Sequence, residues 1–284
     1  SHATLEREKK GGRGAELDAQ NLSRVVREGA DLGVSFMLIA GGEPLVRSSD
    51  IFTLAHNNPL VIFPVFTNGT LIDGEIISQF KKDKNIFPIL SIEGKSTLTD
   101  ARRGKGVYDS ASGKMKVLKD NGIFFGILFA VTKQNLEEVI SEEFILSLCS
   151  SGAGLFFYNE YTPVEKGTEE LCISAEERKK MLLTIKHHRK KFRKLFLAFP
   201  GDEDKFGGCL SAGRGFVHVA PDGRLEACPF APFGDTSTVS SLKEALTSKT
   251  LSVIREHHDE LHETSLGCAL WDKREWVEGL LKSE

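Results

Sequence analysis

From residue 19 onward the chain alternates segments that have the apolar spacing of a helix with short runs of continuous apolar residues. Each helical segment leads directly into an apolar run. Such runs are typical of strands buried on both faces of a parallel sheet, and parallel strands need helical crossovers. The pattern predicts an α/β fold with strands in the five apolar runs, at residues 35–40, 60–66, 86–92, 123–131 and 154–161.

The alternation opens with a helix over residues 19–34, whereas a helix of such a fold normally follows a strand of the same sheet. We therefore expect a first strand upstream of Ser1. Residues 1–18 are polar and rich in charge and glycine, and they are predicted to be the loop that follows this strand.

The pattern changes in the last third of the chain. A long helix with many basic residues is predicted over residues 174–194. Residues 215–228 alternate between apolar and polar positions on either side of Pro221-Asp222-Gly223, which is typical of a β-hairpin. Short helices are expected after the hairpin.

These elements predict two domains with a boundary near residue 200. The first, residues 1–200, has its core at residues 19–163, and the helix over residues 174–194 bridges to the second domain. The second, residues 201–284, is expected to be a small α+β domain that contains the hairpin.

Composition and net charge indicate which kinds of binding partner the protein is not expected to have. Of the 284 residues, 40% are hydrophobic and 27% are charged, and the formal net charge is -3. Nucleic acids and membrane surfaces favour strongly basic proteins, so neither partner is expected. The longest uncharged apolar run, residues 122–131, is shorter than the about 20 residues that cross a bilayer. The N-terminal residues of the sequence do not have the apolar core of a signal peptide, and a cytoplasmic location is expected. Five cysteines, an odd number, are a poor disulfide framework but can supply thiolate ligands in a reducing compartment.

Polar, glycine-containing segments follow the predicted strands. The carboxyl ends of parallel strands meet at one edge of a sheet, where α/β proteins bind ligands. Glycine lets backbone groups approach a ligand, and Thr, Asn, Ser and Glu provide polar partners for a zwitterionic ligand that carries a sugar. No dinucleotide-binding or P-loop motif is present in the sequence. The segments are GGEP at 41–44, TNGT at 67–70, SIEG at 91–94, VTKQN at 131–135 and YNEYTP at 158–163.

The ordered set LIAGGEPLVR, FTNGT, SIEG and RRGKGVYD resembles the core of the radical S-adenosylmethionine (radical SAM) enzymes over residues 19–163. Four segments in one order are much more specific than GGEP alone. The resemblance implies a partial (β/α)6 barrel similar to a TIM barrel, in which GGEP ends the second strand.

The resemblance also implies roles for single residues. Gly41, Gly42 and Glu43 would hold the amino group of the SAM methionyl moiety. Arg103 would bind its carboxylate, a role that suits the fork geometry of a guanidinium. The other implied residues are Ser91 and Glu93 near the ribose, Thr132 and Asn135 on the adenine side, and Pro44, Thr67, Asn68, Tyr158 and Glu160 along the pocket.

The family's signature, C-x-x-x-C-x-x-C, is absent from the chain. In the family this motif follows the first strand, and its three thiolates bind a [4Fe–4S] cluster to which SAM is attached. We therefore expect both the strand and the motif upstream of Ser1. A second interpretation remains open, namely a relative without the cluster that binds a SAM-like ligand and performs no radical chemistry.

Three of the five cysteines lie in the predicted second domain. Cys209 precedes the hairpin and Cys228 ends it, so the hairpin brings the two toward each other, and Cys268 is available as a third ligand. The arrangement C…G-x-x-x-x-C…C resembles the SPASM or Twitch extension of radical SAM enzymes. This resemblance implies an auxiliary Fe–S cluster at the three cysteines, and thiolates suit such clusters.

Other interpretations of the cysteines remain open. The three could bind zinc, with His218 or a histidine of residues 255–263 as the fourth ligand. Cys149 and Cys172 lack metal-ligand spacing, and they are expected to be small buried apolar residues.

The resemblance implies an enzyme in which the reduced cluster cleaves SAM to a 5′-deoxyadenosyl radical that abstracts hydrogen from the substrate. The SPASM or Twitch extension is frequent in enzymes that modify peptides, so a peptide or protein is the expected substrate. An electron donor such as flavodoxin or ferredoxin is the expected partner. Without the C-x-x-x-C-x-x-C segment, this chain alone is expected to be inactive.

Overall fold

The computed structural model describes residues 16–201, 203–238, 240–262 and 268–283. Its helices are α1 (Ala19–Asp31), α2 (Ser48–Asn57), α3 (Gly74–Lys82), α4 (Ser96–Arg103), α5 (Val107–Asp120), α6 (Leu136–Val139), α7 (Glu142–Ser150), α8 (Ala175–Phe192), α9 (Leu242–Ala245), α10 (Lys249–Glu256), α11 (Ala269–Asp272) and α12 (Arg274–Ser283). Its strands are β1 (Phe63–Thr67), β2 (Ile86–Ser91), β3 (Gly126–Val131), β4 (Leu155–Glu160), β5 (Leu195–Phe199), β6 (His218–Val219), β7 (Arg224–Glu226) and β8 (Thr236–Ser237). None of the helices in the described ranges has the length and apolar character needed to span a bilayer.

The described residues form two compact units. The sheet unit consists of residues 35–161 and 170–201. The C-terminal unit consists of residues 16–34, residues 162–169 and the described residues from 203 onward. Helix α1 thus falls in the C-terminal unit, whereas the division expected from the sequence put it with the strands.

The sheet unit is built on a parallel sheet with the strand order β1-β2-β3-β4-β5. Consecutive strands are neighbours, and helices lie in the connections between them, as parallel pairing requires. The register sets Phe63 of β1 opposite Ile86 of β2. The α/β fold with a mostly parallel sheet, expected from the alternation of segments, is therefore confirmed.

Residues 35–40, expected as a buried strand, form only isolated bridges parallel to β1. The Ile39 N–H donates to Pro64 O at 2.9 Å. Pro64 has no N–H to donate in return, so the ladder is interrupted. Phe36 and Leu38 are exposed, and among the described residues the segment pairs on one side only. The expectation that this run is buried is wrong.

Side chains alternate between the two faces of the sheet. Fully buried side chains of one face, which packs under helices, include those of Phe63, Val65, Leu90, Ile127, Phe129, Val131, Phe156, Tyr158 and Phe196. On the other face, Phe66 and Phe157 contact each other edge to face, with ring centroids 5.3 Å apart. The position of a residue along its strand therefore determines the face of the sheet from which its side chain projects, also at the strand ends.

Helix α8 occupies most of the range in which the bridging helix is expected. It begins after Ser174, whose Oγ accepts the Glu177 N–H at 3.2 Å while the Glu177 carboxylate accepts the Ser174 N–H at 2.7 Å. This capping box satisfies two backbone donors at the helix start. The helix ends before Arg193, which has a positive φ of 52°.

The C-terminal unit contains an antiparallel sheet of β6, β7 and β8. The turn between β6 and β7 needs Gly223, whose φ of 83° favours glycine. Helix α1 is joined to this unit, since Glu28 Oε2 accepts the Leu242 N–H at 2.6 Å and the Arg24 guanidinium donates to Thr238 O. The Leu242 N–H, with the Arg24 side chain, holds the pKa of Glu28 below its usual value.

Candidate functional site

The GGEP and TNGT segments meet at the side chain of Glu43. Its Oε1 accepts hydrogen bonds from Thr67 Oγ1 at 2.7 Å and Leu45 N at 3.2 Å, and its Oε2 accepts one from Asn68 N at 2.9 Å. Thr67 Oγ1 also accepts the Gly69 N–H at 3.0 Å, which leaves the hydroxyl hydrogen for Glu43. The carboxylate is therefore fixed where β1 and the segment before GGEP end.

The backbone beside Glu43 is open. A Cβ atom built on Gly41 or Gly42 meets no heavy atom within 4 Å, and both residues are exposed. Within the described residues nothing requires glycine there sterically, so this backbone is accessible to a ligand. Pro44 is buried at the start of the 3₁₀ helix Pro44–Arg47. A fixed carboxylate beside open backbone suits an ammonium group, because its oxygens can accept further hydrogen bonds.

Glu93, expected near the ribose, lies between two arginines, and its side chain is only 2% exposed. Arg103 Nε donates to its Oε1 at 2.8 Å, and Arg102 Nη1 donates to its Oε2 at 3.0 Å. A buried carboxylate needs such partners, so the structure gives Glu93 an internal role instead of an open ligand-facing one. Arg103, expected to bind the methionyl carboxylate, keeps further N–H groups for a second acceptor.

The loop after Arg103 is shaped by Asp100. The Asp100 carboxylate accepts the Tyr108 N–H at 2.9 Å and the Gly106 N–H at 2.8 Å. These backbone donors, first of all that of Tyr108, lower the pKa of Asp100. Gly104 and Gly106 have positive φ values of 110° and 82°, which allow the chain to turn between α4 and α5.

Asn135 joins the ends of β2 and β3. Its Nδ2 donates to Glu93 O and Ala130 O, both at 3.0 Å, and its Oδ1 accepts the Thr132 N–H at 2.8 Å. Thr132, Asn135 and Ser91 are all buried. The first two hold neighbouring strand ends together, and the place of all three beside SAM stays a prediction.

Tyr158 and Glu160 lie on the helix-covered face of β4. The Tyr158 hydroxyl donates to Val139 O at 3.0 Å, and burial raises the pKa of Tyr158. Glu160 is buried and accepts a hydrogen bond from Arg178 Nε at 2.7 Å. Because side chains alternate along the strand, both residues point to the helices and are bound to internal partners. This placement does not support their expected role along the cofactor pocket.

The three cysteines of the predicted auxiliary site contribute to one apolar cluster of the C-terminal unit. Cys228 is buried in this cluster, and Cys209 and Cys268 pack against it. Cys209 Sγ lies 3.2 Å from Ser211 Oγ. In the described ranges, no group of three or more His, Cys, Asp or Glu side chains is arranged to hold a metal ion. An Fe–S cluster at these cysteines therefore stays a prediction.

The structure also places His218, the candidate fourth ligand, and the two remaining cysteines, Cys149 and Cys172. His218 Nδ1 lies 2.8 Å from Glu226 Oε2, so this imidazole already has a carboxylate partner. Cys172 is buried and Cys149 is half-buried, and burial raises the pKa of the Cys149 thiol. A raised pKa disfavours the thiolate, the form that binds metals.

Arg102 and Arg178 were not selected from the sequence, yet each pairs with a buried carboxylate, Glu93 and Glu160 respectively. An acidic residue at the end of an apolar strand is the sequence feature that points to such a partner, because a buried carboxylate needs a cation. The partners follow 9 and 18 residues later, distances that no spacing rule predicts.

No protein-family model matches the chain. Among curated proteins, the chain is 29% identical over 233 residues to the mycofactocin maturase MftC of Mycolicibacterium smegmatis, covering 76% of this chain and 57% of the relative. It is 26% identical over 195 residues to the Fe-coproporphyrin III synthase of Methanosarcina barkeri, covering 61% and 49%. The chain thus spans about half the length of the curated relatives that it matches.

Solved structures share the fold. One is anSMEcpe with bound AdoMet and a peptide, which has a TM-score of 0.67 and 15% sequence identity and covers 95% of this chain and 91% of that one. These relatives and this neighbour are radical SAM enzymes. The resemblance of the chain to the radical SAM superfamily, expected from GGEP and its accompanying segments, is confirmed.

Proposed function

We propose that the chain binds SAM at the ends of its parallel strands and is the SAM-binding part of a radical SAM enzyme that modifies a peptide or protein. The observation that carries the proposal is the Glu43 carboxylate, which Thr67 and Asn68 fix beside the solvent-exposed Gly42. The similarity to MftC, a maturase, favours a peptide substrate. The Fe-coproporphyrin III synthase shows that relatives of this kind also include an enzyme named for a different product.

The residues at the strand ends fit the amino-acid part of SAM. The Glu43 carboxylate suits the ammonium group, and the Arg103 guanidinium, held by Glu93, suits the carboxylate. Two opposite charges, Glu43 after residues 35–40 and Arg103 at the end of α4, would orient the ligand as well as bind it. By the resemblance, bound SAM would supply the 5′-deoxyadenosyl group, which becomes the hydrogen-abstracting radical once an electron from outside this chain cleaves SAM.

The cysteines of this chain do not fit the [4Fe–4S] cluster that the family uses to reduce SAM. None of them has the C-x-x-x-C-x-x-C spacing, and no group in the described residues is arranged to hold a metal ion. We derive no step through that cluster. The cluster and an electron donor such as flavodoxin or ferredoxin belong to the proposal for the whole enzyme, and the residues of this chain bind and orient SAM.

Calorimetric titration of the chain with SAM tests the proposal. We expect Glu43→Gln to weaken SAM binding about 10- to 100-fold, because a hydrogen bond to a charged group contributes about 1.5–3 kcal/mol. Glu75→Gln, at an exposed glutamate of α3, is the matched control and should leave the affinity unchanged. A wild-type chain that does not bind SAM, or a Glu43→Gln variant that binds it equally well, contradicts the proposal.

A further inference from the structure

Glu93 has one arginine at each carboxylate oxygen, Arg103 at Oε1 and Arg102 at Oε2. Its backbone is fixed as well, because its N–H donates to Thr99 Oγ1 at 3.0 Å and its carbonyl accepts a hydrogen bond from Asn135 Nδ2. The carboxylate therefore has a set position and a set pair of partners. One arginine would suffice to neutralise it, so the second needs an explanation.

The three charges do not balance. Two guanidinium groups and one carboxylate carry a formal charge of +1 in total. The carboxylate is buried, whereas the Arg102 and Arg103 side chains are 34% and 26% exposed, so the excess positive charge is the part accessible to a ligand. A single carboxylate from a ligand would make the cluster neutral, which is the favourable state for charges that are largely removed from water.

The two arginines differ in how they are held. The Arg102 guanidinium carbon lies 5.7 Å from the centre of the Tyr161 ring, and Arg102 Nη1 lies 3.4 Å from Ala130 O. Cation–π contact and hydrogen bonding keep Arg102 beside Glu93. The described side-chain contacts of Arg103 all go to Glu93. Arg103 is thus the residue with groups available for a ligand.

We propose that Arg102 is a positioning residue that neutralises Glu93 and so leaves the charge of Arg103 available to the SAM carboxylate, an inference that rests on the proposed SAM site. If Arg102 is removed, the remaining guanidinium of Arg103 and carboxylate of Glu93 form a neutral pair. A ligand carboxylate then adds a negative charge that nothing compensates. With Arg102 present, the same carboxylate completes a neutral group of four. Arg102 thereby sets the selectivity for a carboxylate without touching it.

The test compares the affinity of the chain for SAM with its affinity for decarboxylated SAM, which lacks the carboxylate. We expect Arg102→Gln to lower the ratio of the two affinities about tenfold, less than the full Coulomb interaction gives, because Arg102 is partly exposed. The double variant Glu93→Gln/Arg102→Gln leaves the charge of Arg103 without a neutralising partner and should restore most of the ratio. Lys105→Gln removes an exposed charge from the same loop and should not change the ratio.

Two outcomes overturn the inference while the proposed function stands. The first is that the ratio of the two affinities in Arg102→Gln is the same as in wild type. The second is that the ratio in the double variant is as low as in Arg102→Gln. This second result would mean that Arg102 acts on the ligand directly or only supports folding. Thermal melting of each variant measures any effect on folding separately. A wild-type chain that binds neither probe overturns the proposed function, and this inference with it.

Discussion

The buried pair of Glu160 and Arg178 predicts a large loss of stability when its cation is removed. The Glu160 side chain is 0% exposed and the Arg178 side chain is 10% exposed. Arg178→Met keeps an apolar chain of similar length but removes the guanidinium from a buried carboxylate. Breaking such a pair costs about 3–5 kcal/mol, and we expect the free energy of unfolding of the sheet unit to fall by that amount.

The same helix offers a matched control. Lys180 of α8 pairs with Glu137 at 2.6 Å, but these side chains are 53% and 71% exposed. Exposed ion pairs contribute about 0–1 kcal/mol, so Lys180→Met should change the stability little. The double variant Glu160→Gln/Arg178→Met removes both charges and should recover part of the stability lost in Arg178→Met, because no charge is left buried.

Urea unfolding followed by far-UV circular dichroism is the suitable assay. Trp271 and Trp276 both belong to the C-terminal unit, so tryptophan fluorescence would not report on the sheet unit. Equal losses of stability in Arg178→Met and Lys180→Met would refute the reasoning, since burial would then make no difference to the pair. The expected role of Glu160 along the cofactor pocket would then have to be considered again.

Two further predictions concern a histidine and a cysteine. Burial lowers the pKa of His188, so the unfolded chain binds the proton more readily, and the stability in urea should fall as the pH decreases through about 6.5. His188→Phe should remove this part of the pH dependence, and the exposed His187→Gln should keep the larger part of it, because burial lowers the pKa of His188 more than His187 does. Identical pH profiles for wild type and His188→Phe would contradict the argument. After anaerobic reconstitution with iron and sulfide, Cys228→Ala should hold less iron per chain than wild type, and Cys149→Ala should hold as much. Unchanged iron in Cys228→Ala would remove Cys228 from the ligands, and zinc in place of iron would favour the zinc site.

Strands β1 to β4 are predictable because each lies in a short local run of apolar residues and is followed by a helix, whereas β5 is not among the predicted strands. The exposure of residues 35–40 is not predictable in the same way. It depends on which parts of the fold pack over the faces of the segment, a property of the assembled structure. Local apolarity predicts that a segment is extended, and packing over its faces decides how far its side chains are buried.

The meeting of Glu43 with Thr67 and Asn68 follows from a simple rule, since the ends of neighbouring parallel strands lie together. The partners of Glu93 and Glu160 do not follow from it. Whether a carboxylate at a strand end faces solvent or helices depends on its place in the alternation. The arginine that it meets depends on how a later helix is oriented.

The bond between Glu28 of α1 and the Leu242 N–H joins residues 214 positions apart. A ribosome releases the chain from its N-terminus, so Glu28 emerges before the strands β1 to β5 and meets this partner only after 214 further residues have been synthesised. The strands β1 to β5 pair with neighbours that emerge directly before or after them. The sheet unit can therefore fold during synthesis, whereas the C-terminal unit is completed only when the residues from 203 onward have been made and can pack with α1.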